Sequence, residues 1–464
     1  MNEPALPDAF LQAAGHLLGD ALLTDRAACL SYGVDNSRLQ HPAAAVALPD
    51  SHDRLCALMA LCHQYRVAVI PRGRGTGTTG AVTPLGGELV ISFERMNRIV
   101  EIDPANRLAV VEPGVTNQQL QNALAEHGFF WPPDPTSADV CTIGGNLAYN
   151  SAGPRAVKYG SPRENTLGLT AVTADGQTLL TGARTTKAVV GYDLTRLLIG
   201  SEGTLALITQ AILKLTPLPP ARRALRAGYR SMQAAAEAVS AIMAQPVIPA
   251  ALEFIDPAAL KLARNWQSLD LPESVQALLL MEIDGQPDQL DSMEAAIERA
   301  CRHAERCDFA AAANEDESAR LWAARKALSP SLRHVAPKKL NEDVVVPVSR
   351  MGELIRRLEA LSAQHKITIV NFGHAGNGNI HVNLLYDPDD PDQARRADAC
   401  LQQVFQTVLE LGGTLSGEHG IGRVKRAHAG LELHGASLKT MWAIKRALDP
   451  LNLLNPGKTL PDAG

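Results

Sequence analysis

Residues 71–80 read PRGRGTGTTG, and the seven that follow read AVTPLGG. Gly75, Gly77 and Gly80 satisfy the G-x-G-x-x-G spacing of a dinucleotide-binding turn. That turn works when a helix begins at it, so that the helix N-terminus meets a pyrophosphate. Pro84, Gly86 and Gly87 leave no room for a helix before the next strand, Glu88–Phe93. The NAD-type βαβ reading is therefore excluded by context. A loop of closely spaced glycines between two strands can still turn several N–H groups toward a phosphate.

Outward from this loop the pattern is mixed α and β. Upstream lie a helix over His52–Tyr65, a strand over Val67–Pro71 and a helical lead-in over residues 1 to about 40. Downstream come strand Leu108–Glu112, helix Asn117–His127, an irregular Gly/Asn-rich stretch Phe129–Gly160 and strand Thr166–Thr173. The proline-rich TPLPPARR, Thr216–Arg223, marks a boundary between domains 1–218 and 219–464. Beyond it, helix Ser231–Ala244, strands Leu252–Ile255 and Leu278–Ile283 and helix Leu290–Glu305 form one set. Helix Ser318–Leu328, strand Val344–Pro347, helix Met351–His365 and strand Thr368–Phe372 continue it, and helix Leu438–Leu448 closes the chain. The expected fold is α+β, with an antiparallel sheet covered on one face by helices in the second domain.

Composition narrows the class. A 464-residue chain that is 46% hydrophobic and 20% charged is globular and needs more than one core. A net charge of −5 gives no footprint for nucleic acid. The seven cysteines show no C-x-x-C spacing, which argues against a zinc ribbon or an iron–sulfur cluster and for buried thiols. The opening MNEPALPDAF has no basic n-region, and nowhere do 18 apolar residues run uninterrupted. A cytoplasmic protein is expected, with peripheral contact at the inner face of the membrane left open.

Two further stretches carry chemistry. Residues 373–383 read GHAGNGNIHVN, placing His374 at the end of one strand and His381 at the start of the next. Residues 416–422 read SGEHGIG, placing Glu418 and His419 side by side in a second Gly-rich turn. Two histidines and a glutamate form a three-ligand set that leaves metal positions open, and the remaining imidazole of His419 suits a base near neutral pH. The ligand set accommodates Zn²⁺ first, and Mn²⁺, Co²⁺ or Fe²⁺ as alternatives.

The segments PRGRGTG, EPGV (Glu112–Val115), TIGGN (Thr142–Asn146), NSAGP (Asn150–Pro154), GYDL (Gly191–Leu194) and IGSEGTL (Ile199–Leu205) together resemble the FAD-binding domain of the vanillyl-alcohol oxidase superfamily. NFGHAGNGNIHVN, SGEHGIG and the closing NPGK (Asn455–Lys458) resemble the FAD-linked D-2-hydroxyacid dehydrogenases, the group of D-lactate dehydrogenases, glycolate oxidase catalytic subunits and D-2-hydroxyglutarate dehydrogenases. The resemblance implies FAD held by Arg72, Gly73, Arg74, Gly75, Thr76 and Gly77, with Pro113, Gly114, Asp134 and Pro135. It adds Thr142, Gly144, Gly145, Asn146, Asn150, Gly153, Gly200, Glu202, Gly203 and Asn455. Covalent members often carry a histidine in or beside the pyrophosphate loop; here Arg72 and Arg74 stand there, so the FAD is expected to be non-covalent.

By the same resemblance His374, His381 and Glu418 are metal ligands and His419 is the catalytic base. Arg325 and Ser329, in LWAARKALS, match substrate positions, and Asn383 lies two residues past His381 on the same side of its strand. The implied reaction is oxidation of a small anionic D-2-hydroxy acid, with electrons passed to a quinone, a cytochrome or an electron-transferring flavoprotein. D-2-hydroxyglutarate enzymes carry a lysine where ungapped comparison places Asn341, with Lys338 and Lys339 close by. The segment NEDVVVPVSRM is nearer the D-lactate group, so lactate or a similar monocarboxylate is favoured, with glycolate and D-2-hydroxyglutarate as alternatives.

Overall fold

The computed structural model describes residues 5–266 and 271–462. Its backbone divides into two compact units. The first comprises residues up to Ala152, Gly160–Leu218 and Glu418–Gly464, and the second Gly153–Tyr159 and Pro219–Gly417.

The first unit holds two sheets. In one, Leu22–Leu23, Ala45–Ala47, Leu89–Ser92 and Val69–Arg72 lie side by side, the last three mutually parallel. Parallel neighbours need a crossover, ordinarily a helix. Here the glycine loop makes the connection without one, as its prolines and glycines require. It is tied down instead by segment 33–37: the Gly80 amide donates to Asp35 and the Asn36 amide to the Gly77 carbonyl. The second sheet is antiparallel, in the order Ile99–Asp103, Leu108–Val111, Leu207–Lys214, Thr166–Val172, Thr178–Gly182. The C-terminal segment returns to this unit, where the Val69 amide donates to Leu453 and the Asn455 amide to Val69. NPGK is thereby carried to the strand that feeds the glycine loop.

The stretch 129–160, expected to be irregular, contains a helix over Ile143–Tyr149. Its Gly-Gly-Asn composition hides it, but Thr142 caps it by accepting from the Gly145 amide, and Asn150 ends it in the left-handed conformation.

The second unit is built on a seven-stranded antiparallel sheet. Its order is Arg306–Ala311, Ala221–Tyr229, Ala277–Gly285, Ala251–Ile255, Thr368–Gly373, Asn379–Tyr386, Lys338–Val345. Two expectations need correction. The last strand runs from Lys338 rather than from Val344, because its polar start KKLNED pairs residue for residue with Tyr386–His381. Helices also cover both faces rather than one. Helices Met232–Ala244, Leu290–Ala300, Met351–His365 and Pro391–Glu410 pack on Leu279, Met281, Phe254, Val382 and Val344. Helices Pro257–Trp266 and Glu315–Ser331 pack on the opposite face, on Leu278, Leu280, Ile255, Phe372 and Leu385. Central strands covered on both sides read as continuous apolar runs, so the sequence pattern alone does not show the second layer.

Candidate metal and flavin sites

Strand alternation assembles the first site. Facing partners in an antiparallel ladder project to one side of the sheet. The register pairs His381 with Asp343 and Phe372, Asn383 with Asn341 and Val370, and Leu385 with Lys339. Ile255 pairs with Phe372, so Glu253, two residues earlier, shares that face. The result is a polar patch on the otherwise apolar face covered by the Glu315–Ser331 helix. That helix is set by Asn314, whose side chain accepts from the Glu317 amide, and by Glu315, Asp316 and Glu317 in its first turn.

His374 sits just beyond Gly373, at the head of a short turn that returns the chain into His381. Gly378 makes the turn possible: its φ is +70°, and a Cβ there would lie 1.9 Å from the Val346 carbonyl oxygen. The ligand-capable atoms of His374, His381 and Glu418 all lie within 4.8 Å of one another. Glu418 follows directly on Gly417, whose amide donates to the Asp343 carbonyl and, at 2.9 Å, to its carboxylate. The Ser416 hydroxyl donates to the same carboxylate at 3.1 Å. Asp343 is fully buried, and it pins the turn that bears Glu418 to the strand facing His381.

The donor chemistry fits a divalent ion. Glu253 accepts from His374 Nδ1 at 2.5 Å, which puts the proton on Nδ1 and the lone pair on Nε2, the arrangement a metal-bound imidazole needs. The other oxygen of Glu253 accepts from Arg325 Nε at 2.7 Å and lies 2.6 Å from its Nη2. Burial would raise the Glu253 carboxyl, but its pairing with His374 and Arg325 outweighs burial and holds the pKa at about 2. The Arg325 guanidinium lies 4.8 Å from the centre of the Phe372 ring. Its Nη1/Nη2 end remains for a carboxylate, the geometry that favours arginine over lysine.

Ser329, one turn after Arg325, accepts from the Lys339 ammonium at 2.7 Å. Asn383 donates its amide hydrogens to Val370 and His381 carbonyls. Its Oδ1 is buried with no hydrogen-bond partner among the described residues, an acceptor turned into the patch. His419 follows Glu418, and its carbonyl accepts from the Thr79 hydroxyl at 3.4 Å.

Sequence reasoning did not single out Glu253 or Asp343, and it noted Lys339 only as a cation near Asn341. Glu253 did leave a signal: it is the one charge in the strand ALEFI, whose five residues are all buried. A charge inside a buried strand needs dedicated partners.

The proposed flavin residues lie in the first unit, apart from Gly153, which falls at the start of the second. Several of them shape the backbone. Arg72 donates to the Val34 and Ser31 carbonyls, fastening the stem of the glycine loop. Glu202 is buried and accepts from the Ile421 and Gly422 amides. Asn146 accepts from Asn117, and Asn150 accepts from the Ser161 hydroxyl and the Arg163 amide. Unspent polar atoms are left on Asn455 and on two residues outside that set, Thr78 and Lys458. Thr78 Oγ1, Asn455 Oδ1 and Lys458 Nζ are buried with no hydrogen-bond partner among the described residues. A hydroxyl, a carboxamide and an ammonium left unsatisfied around a glycine loop fit a large polar cofactor such as FAD.

Comparison with known proteins gives the family. A model described as "FAD linked oxidases, C-terminal domain" matches residues 218–459, and one described as "FAD binding domain" matches residues 43–182. The chain is 39% identical over 414 residues to the glycolate oxidase subunit GlcD of Bacillus subtilis (strain 168), covering 89% of this chain and 88% of that one. It is 35% identical over 425 residues to a Danio rerio protein named "Probable D-lactate dehydrogenase, mitochondrial", covering 90% and 84%. A crystal structure of p-cresol methylhydroxylase with substrate bound shares the fold, with a TM-score of 0.82 at 17% identity over 98% of this chain and 97% of that one. Fold, glycine loop and sequence agree: the chain is an FAD-linked oxidoreductase of the vanillyl-alcohol oxidase superfamily, in the group that holds the glycolate oxidase subunits, D-lactate dehydrogenases and D-2-hydroxyglutarate dehydrogenases.

Proposed function

We propose that this protein oxidises a small D-2-hydroxy acid, lactate or a similar monocarboxylate, to the 2-oxo acid. The observation that carries this reading is the union of a His374/His381/Glu418 cluster with a half-buried arginine, Arg325, joined through one carboxylate. When bound, the divalent metal supplies positive charge to the substrate hydroxyl and the flavin supplies the acceptor for the C2 hydride. The protein's own residues do the rest. Arg325 holds the substrate carboxylate through its Nη1/Nη2 end, and Ser329 and Asn383 add hydrogen-bonding groups beside it. His419 takes the hydroxyl proton. Thr76, Gly77 and their neighbours hold a non-covalent FAD, with Thr78, Asn455 and Lys458 contributing polar partners. Electrons then pass to a quinone, a cytochrome or an electron-transferring flavoprotein.

Zinc is the first candidate for the metal, ahead of Mn²⁺, Co²⁺ and Fe²⁺. No helix among the described residues is long and apolar enough to cross a membrane. We propose a cytoplasmic protein, with peripheral contact at the inner membrane face as the alternative.

A second reading has one observation in its favour. Lys339 lies on the same sheet face as Asn341 and Asn383, with its ammonium on Ser329. It supplies a cation near the position where D-2-hydroxyglutarate enzymes carry lysine, which favours a dicarboxylate.

The test is an anaerobic screen of D-lactate, glycolate and D-2-hydroxyglutarate, following flavin bleaching. Lactate should give the highest kcat/KM. Preference for D-2-hydroxyglutarate, lost in Lys339→Met, would establish the second reading. Chelation should abolish bleaching while the protein stays yellow. Bound metal with no bleaching by any 2-hydroxy acid would leave only a metal-binding module.

A further inference from the structure

We propose that Glu253 is a positioning residue that sets the ligand face of His374 and the carboxylate-binding end of Arg325 at the same time. The inference rests on the reading of His374 as a metal ligand and Arg325 as the substrate cation. It goes beyond that reading by assigning a job to a residue with no place in the ligand set or the substrate pocket.

The geometry is a closed circuit. One Glu253 oxygen accepts from His374 Nδ1 at 2.5 Å, and the other accepts from Arg325 Nε at 2.7 Å, with Nη2 at 2.6 Å. The Arg325 guanidinium stacks on Phe372 at 4.8 Å from the ring centre. Phe372 meets His381 at 5.8 Å between ring centres, and His381 meets His374 edge-on at 5.2 Å. Glu253 is 1% exposed and lies mid-strand, so its carboxylate has little freedom to move.

Two consequences follow for ligand binding. An imidazole that donates from Nδ1 to a carboxylate keeps its Nε2 lone pair and gains basicity. An arginine clamped along its Nε edge turns its other end outward. Metal and substrate carboxylate are therefore set against one rigid reference.

Glu253→Gln separates this role from simple packing. Glutamine matches the volume but carries one acceptor and one donor in place of two acceptors. If its oxygen stays with Arg325, its Nε2–H faces His374 Nδ1–H. The clash is relieved only by moving the imidazole proton to Nε2, which removes the metal-binding lone pair, or by giving up the arginine.

The experiment compares wild type, Glu253→Gln, Glu253→Asp and Arg325→Ala, each purified with FAD and stripped of metal. Zinc affinity is measured by competition with a chromophoric chelator. The His374 tautomer is read from ¹⁵N shifts of histidine-labelled protein, assigned with His374→Ala. Zinc affinity should fall about 10–100-fold in Glu253→Gln, with a changed His374 tautomer and retained FAD. Arg325→Ala should bind zinc within a few-fold of wild type while its KM for D-lactate rises steeply. Glu253→Asp keeps the charge but is one methylene too short to span both groups, so it should lose zinc affinity to a smaller extent; it carries the test should the Gln variant not fold. Wild-type zinc affinity and an unchanged tautomer in the Gln variant, or in the Asp variant in its place, would overturn the positioning role alone. A wild-type protein that binds no zinc or other divalent ion would overturn the metal reading, and this inference with it.

Discussion

Lys458 offers a prediction in which stability and cofactor binding move in opposite directions. It is 4% exposed, and its ammonium has no hydrogen-bond partner among the described residues. Burial pulls its pKa from 10.5 to about 8, against the pull of Glu88, Glu202 and Asp35 and with a smaller push from Arg423. The unfolded chain therefore holds this proton more tightly than the folded one. Stability should rise with pH across the window from about 8 to about 10.5, and the stabilisation should be lost as pH falls through 8. At about 1.4 kcal/mol per unit, the buried charge costs the apo-protein on the order of 3 kcal/mol at pH 7. Lys458→Met removes that cost but also leaves the neighbouring carboxylates less well neutralised, so a net gain of about 1–2 kcal/mol is expected. For a unit of this size that is a rise in Tm of about 2–8 °C. The assay is a difference measurement: flavin-free wild type and variant are melted side by side from pH 7 to 10.5, and FAD is then titrated into each. The variant should melt higher at pH 7, its advantage should shrink as pH rises through 8 to 10.5, and it should bind FAD more weakly. A variant no more stable at pH 7, with the same pH slope as wild type, would refute the view of Lys458 as a buried cation kept for a ligand.

The other predictions are more local. Gly114→Ala would drive a Cβ to 2.2 Å from the Phe93 carbonyl oxygen and 2.6 Å from that of Met96, both backbone atoms, so a loss of about 3 kcal/mol or more should appear as a much lowered Tm or failure to accumulate folded protein. Asp343→Ala strips the Ser416 hydroxyl of its buried acceptor and leaves the Gly417 amide only the backbone carbonyl, and should cost about 1–3 kcal/mol and weaken zinc retention measured by chelator competition. Glu418→Ala should lose metal and activity together. His419→Ala should keep metal and FAD yet reduce flavin some 10²–10⁴-fold more slowly, and its kcat/KM should lose the base-dependent limb of the pH profile. Loss of metal in the His419 variant instead would reverse the two roles.

What the sequence disclosed and what it hid follow from how each signal is encoded. The turns around His374, His381 and Glu418 were legible because short Gly-rich loops concentrate their chemistry locally, and the grouping of the three is what the folded chain shows. The absence of a helix after the glycine loop was legible for the same reason, since Pro84, Gly86 and Gly87 act on the residues beside them. Glu253 was not legible as a partner of His374, because 121 residues separate them and only the pairing of two strands brings them together. Its pairing with Arg325 depends in turn on a helix crossing a sheet face that the pattern did not announce. Lys339 was noted beside Asn341, but a wrong strand boundary hid its placement: with the strand taken from Val344, nothing assigned the polar residues before it to a face. Once KKLNED is paired with Tyr386–His381, alternation puts Lys339, Asn341 and Asp343 on the side of His381 and Asn383. The residues a metal would touch are thus set by local turns, whereas those that aim them are set by register. Glu253 and Asp343, the carboxylates that fix His374 and the Glu418 turn, both belong to the second class, so the precision of the site is a property of the sheet rather than of the motifs.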